Sequence, residues 1–184
     1  MKIIKAPLSG EAVKDLNCGD QVLVQGTIFG ARDAAHHRLA ESLTRGEALP
    51  LDLNGQIFYY VGPCPAPTGR VIGSAGPTTS GRMDSYTPLL LEHGLKGMIG
   101  KGERSPGVVE AMKKHGAVYL ATVGGAGAYL ARCITASRLR AYSDLGPEAL
   151  WELTVKDFPC IVAIDCYGRS IYDLRRKTSD AGKL

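Results

Sequence analysis

The sequence predicts an α/β domain on a mostly parallel central sheet, with additional strands at its ends. Three observations carry this. Through the middle of the chain, short apolar runs alternate with stretches whose apolar residues recur every three or four positions. Each run gives way to a glycine-, proline- or hydroxyl-rich segment, the composition of a turn. Over 184 residues there is no internal repeat and no linker long enough to split the chain, so residues 1–174 read as one domain with a real core. The polar run 175–184 reads as a flexible tail.

Taken in order, Val22-Leu23-Val24-Gln25-Gly26-Thr27-Ile28 is the first strand, after the turn signal Asn17-Cys18-Gly19-Asp20. A helix follows from Gly30-Ala31-Arg32-Asp33, with Ala35, Leu39 and Leu43 at four-residue spacing and Gly46 closing it. Ile57 to Val61 is a second strand and Val71 to Ala75 a third. A helix with Met83, Tyr86, Leu89 and Leu90 on one face runs to Gly94. Gly97-Met98-Ile99 is a short buried strand. Ser105-Pro106 opens a helix with a capping hydroxyl and a proline at its first position, and Gly116 ends it. Ala117 to Ala121 is a strand, and Gly124-Gly125-Ala126-Gly127 leads into a short helix through Leu130. Ile134 to Ala141 and Leu150 to Val155 are strands, and Pro159 to Asp165 with Arg169 to Tyr172 form a hairpin around Tyr167-Gly168.

Composition narrows the function classes. The net charge of +4 is dispersed, which argues against nucleic acid as the main partner. No apolar run is long enough to span a bilayer, and Met1 to Pro7 has no signal-peptide core, so a cytoplasmic protein is expected. The five cysteines, Cys18, Cys64, Cys133, Cys160 and Cys166, have neither the pairing of a disulfide framework nor a Cys-x-x-Cys spacing. Cys133, Cys160 and Cys166 read as buried thiols, and Cys64 lies in the rigid loop Gly62-Pro63-Cys64-Pro65. No metal site is expected in this chain.

The most informative stretch is Gly76-Pro77-Thr78-Thr79-Ser80-Gly81-Arg82-Met83-Asp84. Hydroxyls and an arginine stand where a strand is expected to hand over to a helix, and unpaired N–H groups at a helix start suit a carboxylate or phosphate. Arg32 follows the first strand, Thr78 the third and Lys101 the strand at Met98-Ile99. In α/β sheets, ligands gather at the carboxyl ends of strands, so Arg32, Arg82 and Lys101 are expected to converge on one crevice. Arginine forks and a lysine point charge suit a small di- or polycarboxylate. Each also has a plainer reading: Arg32 paired with Asp33, Arg82 with Asp84 or Glu92, Lys101 merely solvated. Asp33 and His36 share a helix face, so His36 could orient Asp33 or a substrate carboxylate, whereas His37 reads as an exposed helix residue. Gly124 to Gly127 fits close helix–strand packing better than a dinucleotide-binding turn, and Gly100-Lys101-Gly102 is not a P-loop.

Ala31-Arg32-Asp33-Ala34-Ala35-His36, Tyr60-Val61-Gly62-Pro63-Cys64-Pro65, Gly76 to Asp84, Gly100-Lys101-Gly102 and Asp157-Phe158-Pro159 with Val162 to Asp165 together resemble the β subunit, or equivalent C-terminal half, of iron–sulfur-dependent class I fumarate hydratases and L-tartrate dehydratases. The resemblance covers nearly the whole chain in family order. It implies a swivelling β/β/α fold and a hydro-lyase that reversibly hydrates fumarate to L-malate. It further implies a [4Fe-4S] cluster held by a partner α subunit, in a hetero-oligomer such as α2β2. By the same resemblance Thr78 is the catalytic base, and Arg32, Arg82 and Lys101 bind the substrate; Asp33, His36, Thr79 and Ser80 are supporting residues. From the residues alone, Thr78, Thr79 and Ser80 remain rival bases. L-tartrate is the rival substrate. A non-catalytic anion-binding partner subunit is the alternative of another class.

Overall fold

The computed structural model describes residues 1–173; the expected tail, 175–184, lies outside them. The chain opens with a strand and a helix for which the sequence offered no strong signal, β1 (Lys2–Ala6) and α1 (Gly10–Lys14). At five residues each they are too short for a repeating pattern, and α1 is set by its cap, where Ser9 Oγ accepts the N–H of Ala12 at 3.1 Å. The order then runs β2 (Gln21–Gly30), α2 (Asp33–Thr44), β3 (Ile57–Tyr59), a 3-10 turn (Ser80–Met83), α3 (Thr87–Glu92), β4 (Gly97–Gly100), α4 (Pro106–His115), β5 (Val118–Ala121), α5 (Gly127–Arg132), β6 (Ile134–Ala141), a second 3-10 turn (Ser143–Glu148) and β7 (Leu150–Ile164).

The sheet is mixed. Parallel pairings link β1 to β2 and continue through β3, β4 and β5. The long β7 runs antiparallel to β5 on one side and to β2 on the other, so β2, β3, β4, β5 and β7 close on themselves. β1 and β6 lie outside the closed part, on β2 and β7. Closure leaves β3, β4 and β5 without free edges, which lets them be short and wholly apolar.

Side chains alternate across this wall. Ile57, Tyr59, Ile99, Val118 and Leu120 join Val22, Val24, Ile28, Leu153, Val155 and Phe158 in one buried cluster, with members from every closed strand. Phe58, Tyr60, Met98 and Tyr119 point the other way and pack under α2, α3 and α4 through Ala35, Leu39, Leu90, Leu91 and Met112.

Three expectations need correction. Val71 to Ala75 is not a strand: Gly73 N–H bonds to Cys64 O (3.2 Å) and Cys64 N–H to Ser74 O (2.9 Å), so the run pairs with its own preceding loop instead of the sheet. The helix ending at Gly94 is broken in two, a 3-10 turn and α3, and Pro88 in the first turn of α3 has no N–H to carry the helical ladder back to the preceding turn. The C-terminal hairpin reduces to one bridge, Ile164 to Ser170, with residues 171–173 helical; β7 instead runs unbroken from Leu150 through Pro159, merging two expected strands. The turn after β7 is organised by buried Asp165, which accepts from Cys18, Tyr167 and Arg169 backbone N–H groups and from Arg169 Nε.

Candidate active site

The carboxyl ends of β2, β3 and β4 lie side by side because those strands are neighbours, and their loops begin at Ala31, Tyr60 and Lys101. The hydroxyl run is stitched between two of these loops. Thr78 N–H donates to Tyr60 O at 2.8 Å, Ser80 N–H to Lys101 O at 2.9 Å, and Lys101 N–H to Thr78 O at 3.4 Å. Thr79 and Lys101 form an isolated parallel bridge. Thr78 and Lys101, distant in sequence, are thus adjoining by main-chain bonds.

The three hydroxyls differ in setting. Thr78 is half-buried and Thr79 exposed. Ser80 is fully buried, and its Oγ lies 2.8 Å from the Tyr119 hydroxyl. Tyr119 donates its own proton to Gly102 O at 2.8 Å, so Ser80 is the donor to Tyr119. Burial pushes the Tyr119 phenol well above its usual range, and it stays neutral. Gly100 makes this approach feasible, since a Cβ there would lie 2.1 Å from Ser80 Oγ.

Arg82 reaches neither Asp84 nor Glu92. Its Nε forms an ion pair with Asp33 Oδ1 at 2.7 Å. Asp33 Oδ2 accepts from Arg32 Nε at 3.0 Å, and Arg32 Nη2 meets Glu148 Oε1 at 3.1 Å. The result is a chain of alternating charge, Arg82–Asp33–Arg32–Glu148, across three loops. Partial burial raises the Asp33 carboxyl, but the hydrogen bond from Arg32, its own backbone N–H and the charges of Arg82 and Arg32 outweigh this and hold it below its ordinary value. Among the described residues Arg82 is engaged through Nε, with no partner at either terminal nitrogen of its fork. Lys101 makes no ion pair among the described residues; its side chain lies along Gly124.

His36 lies fully buried beneath this surface, edge-on to Phe58 and Tyr60. Its Nδ1 donates to Arg32 O at 3.0 Å, and Nε2 has no hydrogen-bond partner. It therefore makes no hydrogen bond to Asp33 and supports the Arg32 backbone instead. His37 is exposed beside Glu41. The helix-start argument for the hydroxyl run does not hold: Ser80–Met83 is one 3-10 turn without a side-chain cap, too short to sum a macrodipole. Side chains and loop N–H groups must provide whatever attraction an anion finds there. The Gly124–Gly127 segment serves close packing, with Gly127 O accepting from Ala75 N–H at 3.1 Å and its Cα beside Gly76.

A family profile described as the fumarase C-terminus matches residues 2–174. The chain belongs to the fumarase C-terminus family. Its relatives include fumarate hydratase 2 of Leishmania major, 42% identical over 156 residues, covering 84% of this chain and 28% of that protein. The aerobic class I fumarate hydratase of Escherichia coli K12 is 41% identical over 174 residues, covering 94% and 31%. A putative L(+)-tartrate dehydratase subunit beta of Methanocaldococcus jannaschii is 39% identical over 172 residues, covering 90% of this chain and 88% of that one. The chain thus spans under a third of the fumarate hydratases and nearly all of the subunit.

As a fumarase C-terminus domain, the chain carries supports that sequence reading missed. Arg104 has no exposed side-chain surface and bonds to Asp84 Oδ1 (2.7 Å), Thr87 Oγ1 (2.7 Å) and Tyr60 OH (3.2 Å). Its guanidinium also lies 5.3 and 5.2 Å from the Tyr60 and Tyr119 ring centres. Asp84 Oδ2 accepts the backbone N–H of Ser105 at 2.7 Å, which fixes the residue before α4, while the Ser105 hydroxyl makes no cap bond. A loop arginine with an acid twenty residues earlier is not legible as a pair without the fold. Glu148, between β6 and β7, was equally invisible.

Among the described residues, no group of three or more His, Cys, Asp or Glu side chains stands together as a metal site. Cys160 and Cys166 are buried, Cys18 and Cys133 half-buried and Cys64 exposed, all as free thiols. These cysteines do not fit the ligation of an iron–sulfur cluster. No helix of the described residues is long and apolar enough to cross a membrane.

Proposed function

We propose that this chain provides the base and the carboxylate-binding cations of a two-subunit hydro-lyase that reversibly hydrates fumarate to L-malate. The observation that carries the reading is the Arg82 fork, anchored through Nε by Asp33 and open at its tip, on the loop that holds Thr78 against Lys101. Arg32 and Arg82 bind the two ends of a small dicarboxylate. In the dehydration direction Thr78 takes a proton from the carbon next to one carboxylate. The electron pair left behind delocalises into that carboxylate, whose added charge Arg82 and Lys101 stabilise, and then forms the carbon–carbon double bond as the hydroxyl on the neighbouring carbon leaves as hydroxide. A threonine hydroxyl is a weak base in water, and a cation on Lys101, whose main chain is bonded to that of Thr78, would favour its alkoxide. Ser80 Oγ is buried and already donates to Tyr119, which favours Thr78 over it as base.

The family resemblance puts a [4Fe-4S] cluster on an α subunit, in an assembly such as α2β2; the scattered cysteines of this chain agree with that division, and no step assigned to its own residues passes through the cluster. The resemblance also gives the domain a swivelling β/β/α fold. The likeness to a putative L(+)-tartrate dehydratase subunit beta keeps L-tartrate as the second substrate reading.

The test is an anaerobically reconstituted α–β complex assayed on fumarate, malate and tartrate. Thr78→Ala is expected to lower kcat by about 10²–10⁴-fold with assembly intact, the usual contribution of a positioned base. A complex in which Thr78→Ala and Arg82→Ala leave turnover unchanged is a non-catalytic anion-binding partner, and the proposal falls.

A further inference from the structure

Glu148 stands outside every motif noted in the sequence, yet it closes the charged chain at the site. It ends the 3-10 turn Ser143–Glu148, which enters from between two antiparallel strands and not from the carboxyl end of a parallel one. Its carboxylate spans two partners: Oε1 meets Arg32 Nη2 at 3.1 Å, and Oε2 accepts Ala34 N–H at 3.3 Å in the first turn of α2. A second tie from the same turn runs to the same helix, where Arg38 pairs with Asp144 through both terminal nitrogens and lies 5.3 Å from the Tyr142 ring centre. Ala34 and Arg38 are four residues apart, so the turn lies along one face of α2 and is clamped at both ends. Behind Glu148, Ala149 and Leu150 are fully buried, which fixes the backbone that carries it.

From this we infer that Glu148 is a positioning residue: it locks the Arg32 guanidinium for a substrate carboxylate. The inference rests on the hydro-lyase reading for the identity of that carboxylate. Asp33 alone cannot do this, because it holds Arg32 only at Nε and is shared with Arg82. An arginine held at one edge still swings about its long axis. Held at Nε by Asp33 and at Nη2 by Glu148, with its shaft along Gly62, it presents its remaining N–H groups in one direction. Glu148 itself, about a third exposed, needs no contact with substrate to act in this way.

The experiment is Glu148→Gln in the reconstituted complex, alone and combined with Arg32→Gln. Gln keeps the length of the side chain and an acceptor for Ala34 N–H but removes the charge facing Arg32. Arg32 grips the same carboxylate in ground and transition states, so KM for fumarate and malate is expected to rise about tenfold while kcat changes less than about threefold. In the Arg32→Gln background the second substitution is expected to change kcat/KM less than about twofold. An unchanged KM, a fall in kcat alone, or losses that multiply independently overturn the inference. A second readout needs no turnover: in the free chain, NMR of the Arg32 guanidinium is expected to show slowed Nη–H exchange that Glu148→Gln abolishes, and an unchanged signal counts against the inference. A wild-type complex inactive on both fumarate and tartrate defeats the hydro-lyase reading instead, and the guanidinium signal then decides the Arg32–Glu148 link by itself.

Discussion

His36 ties the stability of the site to pH. Its imidazole is fully buried against Phe58 and Tyr60, and its pKa is pushed down to about 4. Burial is the main cause; the bond to Arg32 O and the Asp33 charge oppose it, and the Arg104 charge adds to it. An unfolded histidine takes up its proton near pH 6.5. Between those values the unfolded chain binds a proton that the folded chain does not, so stability is fully present above about pH 6.5 and falls as pH drops toward 4. For this one group the linkage gives a loss of about 2 kcal/mol between pH 7 and pH 5, and about 3 kcal/mol once pH is below both values.

The perturbation is His36→Asn, whose amide can still donate to Arg32 O but cannot titrate. Urea unfolding of both proteins at pH 7 and pH 5 isolates the effect, since every other group is common to the two. His36→Asn is expected to be weaker at pH 7, through the lost ring, by about 2–4 kcal/mol. Its deficit against the wild type is expected to shrink by about 2 kcal/mol at pH 5. A deficit that stays the same within 0.5 kcal/mol, about the smallest reliable difference, refutes the claim that a buried neutral imidazole holds the Arg32 backbone.

Further outcomes follow from other contacts. Gly100→Ala places a methyl 2.1 Å from Ser80 Oγ; it should cost about 1–3 kcal/mol by thermal unfolding and lower turnover of the complex by shifting the hydroxyl loop. Arg104→Met removes one partner of a buried pair and leaves the Asp84 carboxylate uncompensated, a loss of about 3–5 kcal/mol in urea unfolding. Asp33→Asn releases Arg82 and Arg32 together; KM for the dicarboxylate should rise more than for Glu148→Gln, and the acid-side loss of stability below about pH 4 that a depressed carboxyl produces should disappear.

What the sequence disclosed and what it hid have separate physical causes. α2 and α4 were legible because their apolar residues repeat with a helical period over ten residues or more and end at Gly46 and Gly116, both at positive φ, and β2 because a dense apolar run follows a turn signal. Val71 to Ala75 misled because a five-residue apolar run meets the same burial requirement as a loop folded on itself. The unbroken β7 was hidden by Pro159, which the sequence reads as a strand boundary. At the site, the residues after β2 and β4 could be placed together because chain order in a parallel sheet fixes which ends are shared. The partner of Arg82 could not, since Asp33 is equally consistent with several helical neighbours. Asp84–Arg104 joins segments brought together by the bridge between Thr79 and Lys101, and Arg32–Glu148 joins segments whose proximity exists only after β7 pairs with β2.

That closure decides the charge the site presents to a ligand. Two arginines and a lysine crowded at one sheet end would repel one another and would hold any small anion indiscriminately. Asp33 and Glu148 offset the two arginines within the site itself, leaving Lys101 as the cation without an ion pair among the described residues. In the proposed reaction the arginines keep their geometry without their full field, and their remaining N–H groups would select a carboxylate by its shape and bidentate fit. The cation bridged to Thr79 and bonded to Thr78 through the main chain is the one we propose to face the hydroxyl that gains negative charge. On that proposal the carboxylates work with the cations, leaving the strongest field for the atom that would react. Lys101→Met should accordingly lower kcat by more than it raises KM, the reverse of the pattern expected for Glu148→Gln. Steady-state kinetics on the reconstituted complex that found both variants affecting KM alone would place the catalytic charge elsewhere.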